Sequence, residues 1–326
     1  MKFATAFPER ADRLSGITDK LDPSHDFPLL KACSLKKNSA NKLKDSVLNY
    51  LHATLTQYYS DLKIQPSANI LEEQVERLAD LPNVTPNGIV LPKLGTLDAY
   101  NLVHTEVVRI FEEAGLHKHV EAIFAPVSIR LVKGTSSPKI DNRPRSTTKY
   151  HLDIWSGEPA DAISVLLPVL GDTKNVGIKW VEPANIPSCL RRTLDNFNEG
   201  QRLVNNGNKY NFCFQRGDLL LFDPYLLHAT QKKQNANRVS IDFRFIATKK
   251  APGDTDVPGI RRGDYIKYAT WRSIGRTLVL DSMAPLDAHN SKDLAPFDRY
   301  PGAYQIIEKN DRLDIVRNGP SRSVTS

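Results

Sequence analysis

The sequence predicts a mostly β chain with α-helix: a double-stranded β-helix, the cupin-type jelly roll, with helices packed on one sheet. Three observations carry that reading. Apolar residues recur at helical spacing between positions 41 and 115. From 127 to 248 that texture gives way to many short strand-like runs at close spacing. The last of these runs separates an apolar face from a polar one, residue by residue.

Residues 1–38 are rich in Pro, Asp, Ser and Lys, show no sustained period and read as an irregular lead-in. Leu43, Val47, Leu51, Leu55, Tyr58 and Leu62 then recur every three or four positions, an amphipathic helix over 41–62. A second helix over 69–81 carries Ile70, Val75, Leu78 and Leu81 and is stopped by Pro82. Pro82, Pro86, Asn87-Gly88, Pro92 and Gly95 make 82–95 a loop. A third helix runs from a Thr96 cap through Val103, Val107, Ile110 and Phe111 to Gly115.

Strands follow at 127–132, 150–155, 163–170, 177–181, 210–214, 219–222 and 238–248. Residues 134–145 form a polar loop, and 184–208 read as an insertion with a short helix. Beyond 251, Pro and Gly recur and strand signals are weak. The expected organisation is one structural domain: a helical part over 1–124, a jelly-roll core over 125–250, and an extension over 251–326. That extension reads as a lid, a dimer arm or a loosely ordered tail.

Composition bounds the function classes. Hydrophobic residues make up 40% and charged residues 25% of the 326, the profile of a globular soluble chain. The longest apolar runs, such as 163–170, are far too short to span a bilayer. No apolar run follows the first residues, so no signal peptide is expected. Cys33, Cys189 and Cys213 form neither a zinc spacing nor a disulfide framework, and a reducing cytoplasm is the default. The net charge of +7 is spread along the chain, which disfavours a nucleic-acid partner. The partner expected is a small-molecule substrate, with no membrane; a homodimer stays open.

Chemistry concentrates in Tyr150-His151-Leu152-Asp153-Ile154-Trp155. On a strand, residues two apart point to one face, so His151 and Asp153 stand side by side. A third ligand from elsewhere would complete a three-cornered metal site. Two histidines and one carboxylate with open positions suit non-haem Fe(II) that also holds O2 and a co-substrate. His228 follows Gly217-Asp218 and an apolar strand, and Arg238-Val239-Ser240 comes ten residues later. On the terminal strand Val239, Ile241, Phe243 and Phe245 form one face, and Arg238, Ser240, Asp242 and Arg244 the other. A charged row pointing into a small barrel is costly unless it serves a site.

His151-x-Asp153, His228 and Arg238-x-Ser240, in this order, resemble the signature of the Fe(II)/2-oxoglutarate-dependent oxygenases. The phytanoyl-CoA-hydroxylase-like branch, with relatives in natural-product biosynthesis, is the most similar. The resemblance covers about residues 125–248. It implies that His151, Asp153 and His228 ligate Fe(II), that Arg238 bridges the distal carboxylate of 2-oxoglutarate, and that Ser240 adds a hydrogen bond. It also implies succinate and CO2 as co-products, with an unactivated C–H of a small polar molecule hydroxylated by O2. Arg244, Arg130 and Trp155 are the candidate substrate contacts; for Arg244 the alternative is neutralisation by Asp242, and for Trp155 it is packing. His52, His104, His117, His119 and His289 have no partner at ligand spacing. A cupin-type metalloenzyme without 2-oxoglutarate, and a catalytically silent basic binding protein, are the competing readings.

Overall fold

The computed structural model describes residues 5–59, 69–124, 126–250, 264–272, 304–309 and 312–317. Helices α1 (Pro8–Ile17), α2 (Lys37–Tyr58), α3 (Ile70–Ala79) and α4 (Leu97–Glu113) fall in the first part, with the single turn α5 (Pro138–Asp141) later. Strands β1 (His25–Phe27) and β2 (Leu30–Ser34) precede α2. After α4 come β3 (Val120–Phe124), β4 (Ser128–Lys133), β5 (Ala162–Gly171), β6 (Ile178–Glu182) and β7 (Asn208–Tyr210). They continue with β8 (Asp218–Phe222), β9 (Leu227–Thr230), β10 (Asn237–Ala247) and β11 (Tyr265–Lys267). Beyond these, β12 (Tyr304–Lys309) pairs antiparallel with β13 (Arg312–Arg317). Leu62, His289 and most of the extension beyond 251 lie outside the described residues.

The architecture is the jelly roll. A large antiparallel sheet runs β1-β2-β8-β5-β10-β3-β11, with β4 also paired to β10, and a small sheet runs β7-β6-β9. The outer face of the large sheet carries Ile163, Val165, Leu167, Leu219, Leu221, Val239, Ile241, Phe243 and Phe245, packed into one core with α2, α3 and α4. Phe111 of α4 meets Phe243 and Phe245 edge-on, with ring centroids 5.8 and 5.4 Å apart. Between the sheets, Leu166, Leu220 and Phe222 of the large sheet pack with Trp180 and Tyr210 of the small one. The alternation read along 238–245 is therefore real: its apolar side meets helices and its polar side faces inward.

Three expectations need correction. Residues 1–38 are not an irregular lead-in. They supply α1 and two strands, and β2 pairs with β8 from Leu30–Phe222 to Ser34–Asp218. The elements are too short to show a period, and the buried Arg10 and Arg13 made α1 look like surface. The 150–155 strand is a single bridge, at His151, followed by a 3-10 turn over Asp153–Ser156. The 210–214 strand pairs only as far as Tyr210, although Phe212 and Phe214 are buried beside it. Thr96 stands at the N-cap of α4 as expected, but its hydroxyl bonds back to the Lys93 carbonyl at 3.1 Å.

His104 is a core residue of α4. It is fully buried, its Nε2 donates to the Trp271 carbonyl at 2.9 Å, and its ring lies 4.6 Å from the Trp271 ring. Burial lowers its pKa to about 4, against the pull of the Trp271 carbonyl. The unfolded chain binds that proton near the ordinary value of about 6.5, so stability is complete above that pH and falls as the pH drops towards 4. The loss from this group is roughly 3 kcal/mol at the acid end. Denaturant midpoints at about pH 7 and about pH 4.5 should therefore differ less in His104→Gln than in the wild type. Equal acid losses would place the titration elsewhere.

Candidate metal centre

Two backbone hydrogen bonds pin the ligand segments together. The His151 amide donates to the His228 carbonyl, and the His228 amide to the His151 carbonyl, each at 3.0 Å. The two imidazoles come within 4.2 Å, centroid to centroid. Each ring is then fixed from behind. His151 Nδ1 donates to the Lys149 carbonyl at 2.9 Å, and His228 Nδ1 to the Leu226 carbonyl at 3.0 Å. With Nδ1 the donor on both rings, the Nε2 lone pairs are left for a metal.

Leu152 is the one extended residue between His151 and Asp153, with φ −96 and ψ 146. It keeps the two side chains on one side while its own side chain enters the core with Trp155 and Phe197. Past Asp153 the chain turns at once, and Gly157 takes φ +93 to complete the turn. Asp153 Oδ1 lies 3.7 Å from His228 Nε2. Ligand atoms from His151, Asp153 and His228 all lie within 4.8 Å of one another, and all three residues are buried. These residues fit a single divalent ion with positions left open.

The electrostatics suit that role. Burial, then the neighbouring His228, push the His151 pKa down to about 3, and burial lowers His228 as well. Both are neutral and able to ligate near pH 7. Burial alone would push the Asp153 carboxyl up. The Arg244 charge, then His228 and the Ser164 hydroxyl, outweigh it and hold the carboxyl well below its usual range. Ser164 Oγ donates to Asp153 Oδ2, and Arg244 Nη2 lies 3.3 Å from Oδ1. Phe197 stacks flat on the His151 ring at 4.9 Å, and Phe222 stands edge-on to His228 at 5.2 Å.

The triad opens onto a cavity of about 670 Å³. Arg130, Arg238, Asp242 and Arg244 line it with the three ligands. Arg238 is 1% exposed; its Nη1 donates to the Val176 carbonyl at 2.8 Å, and its guanidinium sits 5.3 Å from the Phe214 ring centroid. Among the described residues its Nε has no hydrogen-bond partner, and neither has the fully buried Ser240 Oγ. Burial, then the Arg130 charge, lower the Arg238 pKa to about 10, so it remains a cation at neutral pH.

The three candidate substrate contacts fare differently. Arg130 faces the cavity but grips Asp242 with Nε at 2.7 Å and Nη2 at 3.0 Å. Arg244 is surrounded by acids: Asp153 and Asp242 at 3.3 Å and Glu158 at 3.8 Å. Neutralisation of Arg244 by Asp242 is therefore what the chain adopts, with two further carboxylates that sequence spacing did not reveal. For Trp155 the chain adopts the packing alternative. It is fully buried, its indole donates to the Leu190 carbonyl at 2.8 Å, and it does not line the cavity. A Cβ on Gly200 would meet its ring at 1.9 Å, which shows how closely it is enclosed.

Ser164 and Glu158 were missed. Ser164 carried a usable signal, since it is the sole polar side chain in an apolar strand. Glu158 carried none, because it reaches Arg244 from the turn after the ligand.

No family model matches the chain, and no curated protein matches it. Solved structures do. The chain is similar to EctD from S. alaskensis, solved with 2-oxoglutarate and 5-hydroxyectoine, at 13% identity over 78% of this chain and 90% of that one, with a TM-score of 0.40. It is similar to the epimerase SnoN in complex with Fe3+, alpha ketoglutarate and nogalamycin RO, at 12% identity over 78% and 92%, with a TM-score of 0.39. An N-substituted L-amino acid dioxygenase from Burkholderia ambifaria AMMD gives 12% identity over 72% and 87%, with a TM-score of 0.39. These likenesses are distant, and the chain's own geometry carries the site.

Ser164→Ala removes one of the two groups holding Asp153 and leaves the ligand set intact. Metal affinity should fall by about 10–100-fold, the usual effect of removing such a supporting partner. Calorimetric titration of Fe(II) under anoxia measures it, and undiminished affinity would mean that Arg244 alone orients the carboxylate.

Proposed function

We propose that this chain is an Fe(II)- and 2-oxoglutarate-dependent oxygenase. It hydroxylates an unactivated C–H of a small polar molecule in specialised metabolism. The phytanoyl-CoA-hydroxylase-like branch is proposed from the order and spacing of the motif residues alone. One observation carries the co-substrate assignment: a guanidinium, Arg238, lies buried in the cavity of the triad and has, among the described residues, no carboxylate partner, next to a Ser240 hydroxyl that has no hydrogen-bond partner among them either. A charge left so is destabilising unless a ligand completes it. A dicarboxylic acid that chelates a metal at one end and meets a planar fork at the other answers that need.

Fe(II) held there, with 2-oxoglutarate and O2, supplies the oxidising power, and succinate and CO2 leave as co-products. The chain's own residues do the rest. His151, Asp153 and His228 take one side of the ion and keep the remaining positions open. Asp153 remains charged because Arg244 stands against it, which reserves that corner for a carboxylate and favours hydroxylation over halogenation. Leu166, Ile178, Phe197 and Phe222 are apolar members of the wall and exclude water from the reacting centre.

Arg238→Gln should raise the Michaelis constant for 2-oxoglutarate much more than that for the prime substrate. Truncating one partner of a buried charge-assisted pair costs roughly 2–5 kcal/mol. Succinate release with Fe(II), ascorbate and O2 over a range of 2-oxoglutarate concentrations measures it. An unchanged dependence would move the anchor to another base, and absence of succinate from the wild type would remove the oxygenase reading.

A further inference from the structure

Among the described residues, the cavity wall holds more guanidiniums than carboxylates. Arg130, Arg143, Arg145, Arg238 and Arg244 line it, against Asp153, Glu158 and Asp242. Fe(II) and a doubly ionised 2-oxoglutarate would add charges that cancel. Pairing therefore decides which arginine is left over. Arg130 and Arg244 share the three wall carboxylates. Arg145 has an acid of its own, Asp195 at 2.9 Å. Arg238 is the co-substrate's partner under the reading above. Arg143 remains.

Arg143 is held in place by neutral acceptors only. Its Nε donates to the Ile140 carbonyl at 2.9 Å, and its Nη2 to the Pro86 carbonyl at 2.9 Å and to Asn87 Oδ1 at 2.7 Å. It forms no ion pair among the described residues. The nearest acid in sequence, Asp141, is taken by Lys232 Nζ at 2.7 Å and by the Ser137 amide at 3.0 Å. Partial burial disfavours the Arg143 charge, with Asp141 opposing from a distance. Three bonds thus fix a half-buried fork at the cavity wall, Nη1 uncommitted. Holding so long a side chain in one orientation costs entropy, and here that orientation places the guanidinium at the cavity wall. Pro86 and Asn87 belong to the loop between α3 and α4 that forms one wall of the same cavity.

We propose that Arg143 is the substrate-recognition residue of this site and receives an anionic group, carboxylate or phosphate, of the small-molecule substrate. The inference rests on the oxygenase reading, because it is Fe(II) and 2-oxoglutarate that occupy the other end of the cavity and engage Arg238. A rigid fork facing an acid gives direction as well as attraction. It would orient the substrate through a group that does not react.

The test uses the full chain, loaded under anoxia with Fe(II) and saturating 2-oxoglutarate, titrated calorimetrically with phenylacetate, phenyl phosphate and neutral phenylacetamide. At least one anion should bind about tenfold or more tightly than the amide, a difference of about 1.4 kcal/mol. The stronger anion distinguishes carboxylate from phosphate recognition. Arg143→Gln should abolish that advantage while phenylacetamide binding is unchanged, and Arg143→Lys should restore part of it. An anion advantage absent from the wild type, or surviving in Arg143→Gln, overturns the proposal. A wild type that binds neither Fe(II) nor 2-oxoglutarate overturns the oxygenase reading and this inference with it, and is recognised by the two missing isotherms.

Discussion

A carboxylate stays ionised in the middle of the jelly roll because an arginine on a neighbouring strand stands against it. Asp153 is 1% exposed, and Arg244 Nη2 is 3.3 Å from its Oδ1. A lone buried carboxylate would cost several kcal/mol, and would take up a proton instead. The other stay is Ser164 on Oδ2. Ser164 of β5 and Arg244 of β10 are directly opposed across the antiparallel ladder. One register therefore places both supports. A slip of a single residue in either strand would turn that strand's support towards the helices and leave the ligand with only one.

Holding that register are layers that carry charge of their own. On the far side of the ligand loops, α1 inserts Arg10 and Arg13, both almost fully buried. Arg10 Nε meets Asp223 at 2.8 Å, and its Nη2 donates to the Ala160 carbonyl. Arg13 donates to the Asp161 carbonyl and, at 2.8 Å, to the Lys249 carbonyl. Ala160 and Asp161 follow the Asp153 turn, Asp223 precedes His228, and Lys249 lies just past the end of β10. One helix thus ties together the three segments that bring ligands and Arg244 to the centre. Tyr265 adds a further tie, its hydroxyl donating to Glu158 Oε2 at 2.9 Å. Such bonds are strong where they satisfy buried charge, and removing one partner leaves the other exposed to the full desolvation cost.

What the sequence disclosed follows from how local each signal is. The two faces of 238–245 were legible because strand alternation is strict and eight residues are enough to show it. The three ligands were legible because chemistry restricts residue type, and the turn at Asp153 did not disturb the geometry that Leu152 alone controls. The helix α1 was illegible because its arginines look like surface until their acceptors, more than a hundred residues away, are in place. The sequence leaves Trp155 between pocket and packing for a related reason. Proximity to a ligand in sequence says nothing about side when the backbone turns immediately afterwards, and its partner Leu190 lies in the long insertion.

The same limit explains why five arginines look alike in the sequence and behave differently in the fold. Asp242 decides between them. It lies between Arg238 and Arg244 on β10, and Arg130 reaches it from β4, where Ser128 is its cross-strand partner. Arg130 occupies both of its oxygens, and Arg244 Nη1 shares Oδ1 at 3.3 Å. Arg130 and Arg244 thus claim Asp242 from two sides, and among the described residues no ion pair joins it to Arg238, four residues away. Arg238 instead rests on a carbonyl and the face of Phe214. Neither neutralises it. The spacing of charges on one strand, with a single aspartate claimed from two sides, is thus what leaves Arg238 without an ion pair among the described residues, where the proposed acidic co-substrate would fit.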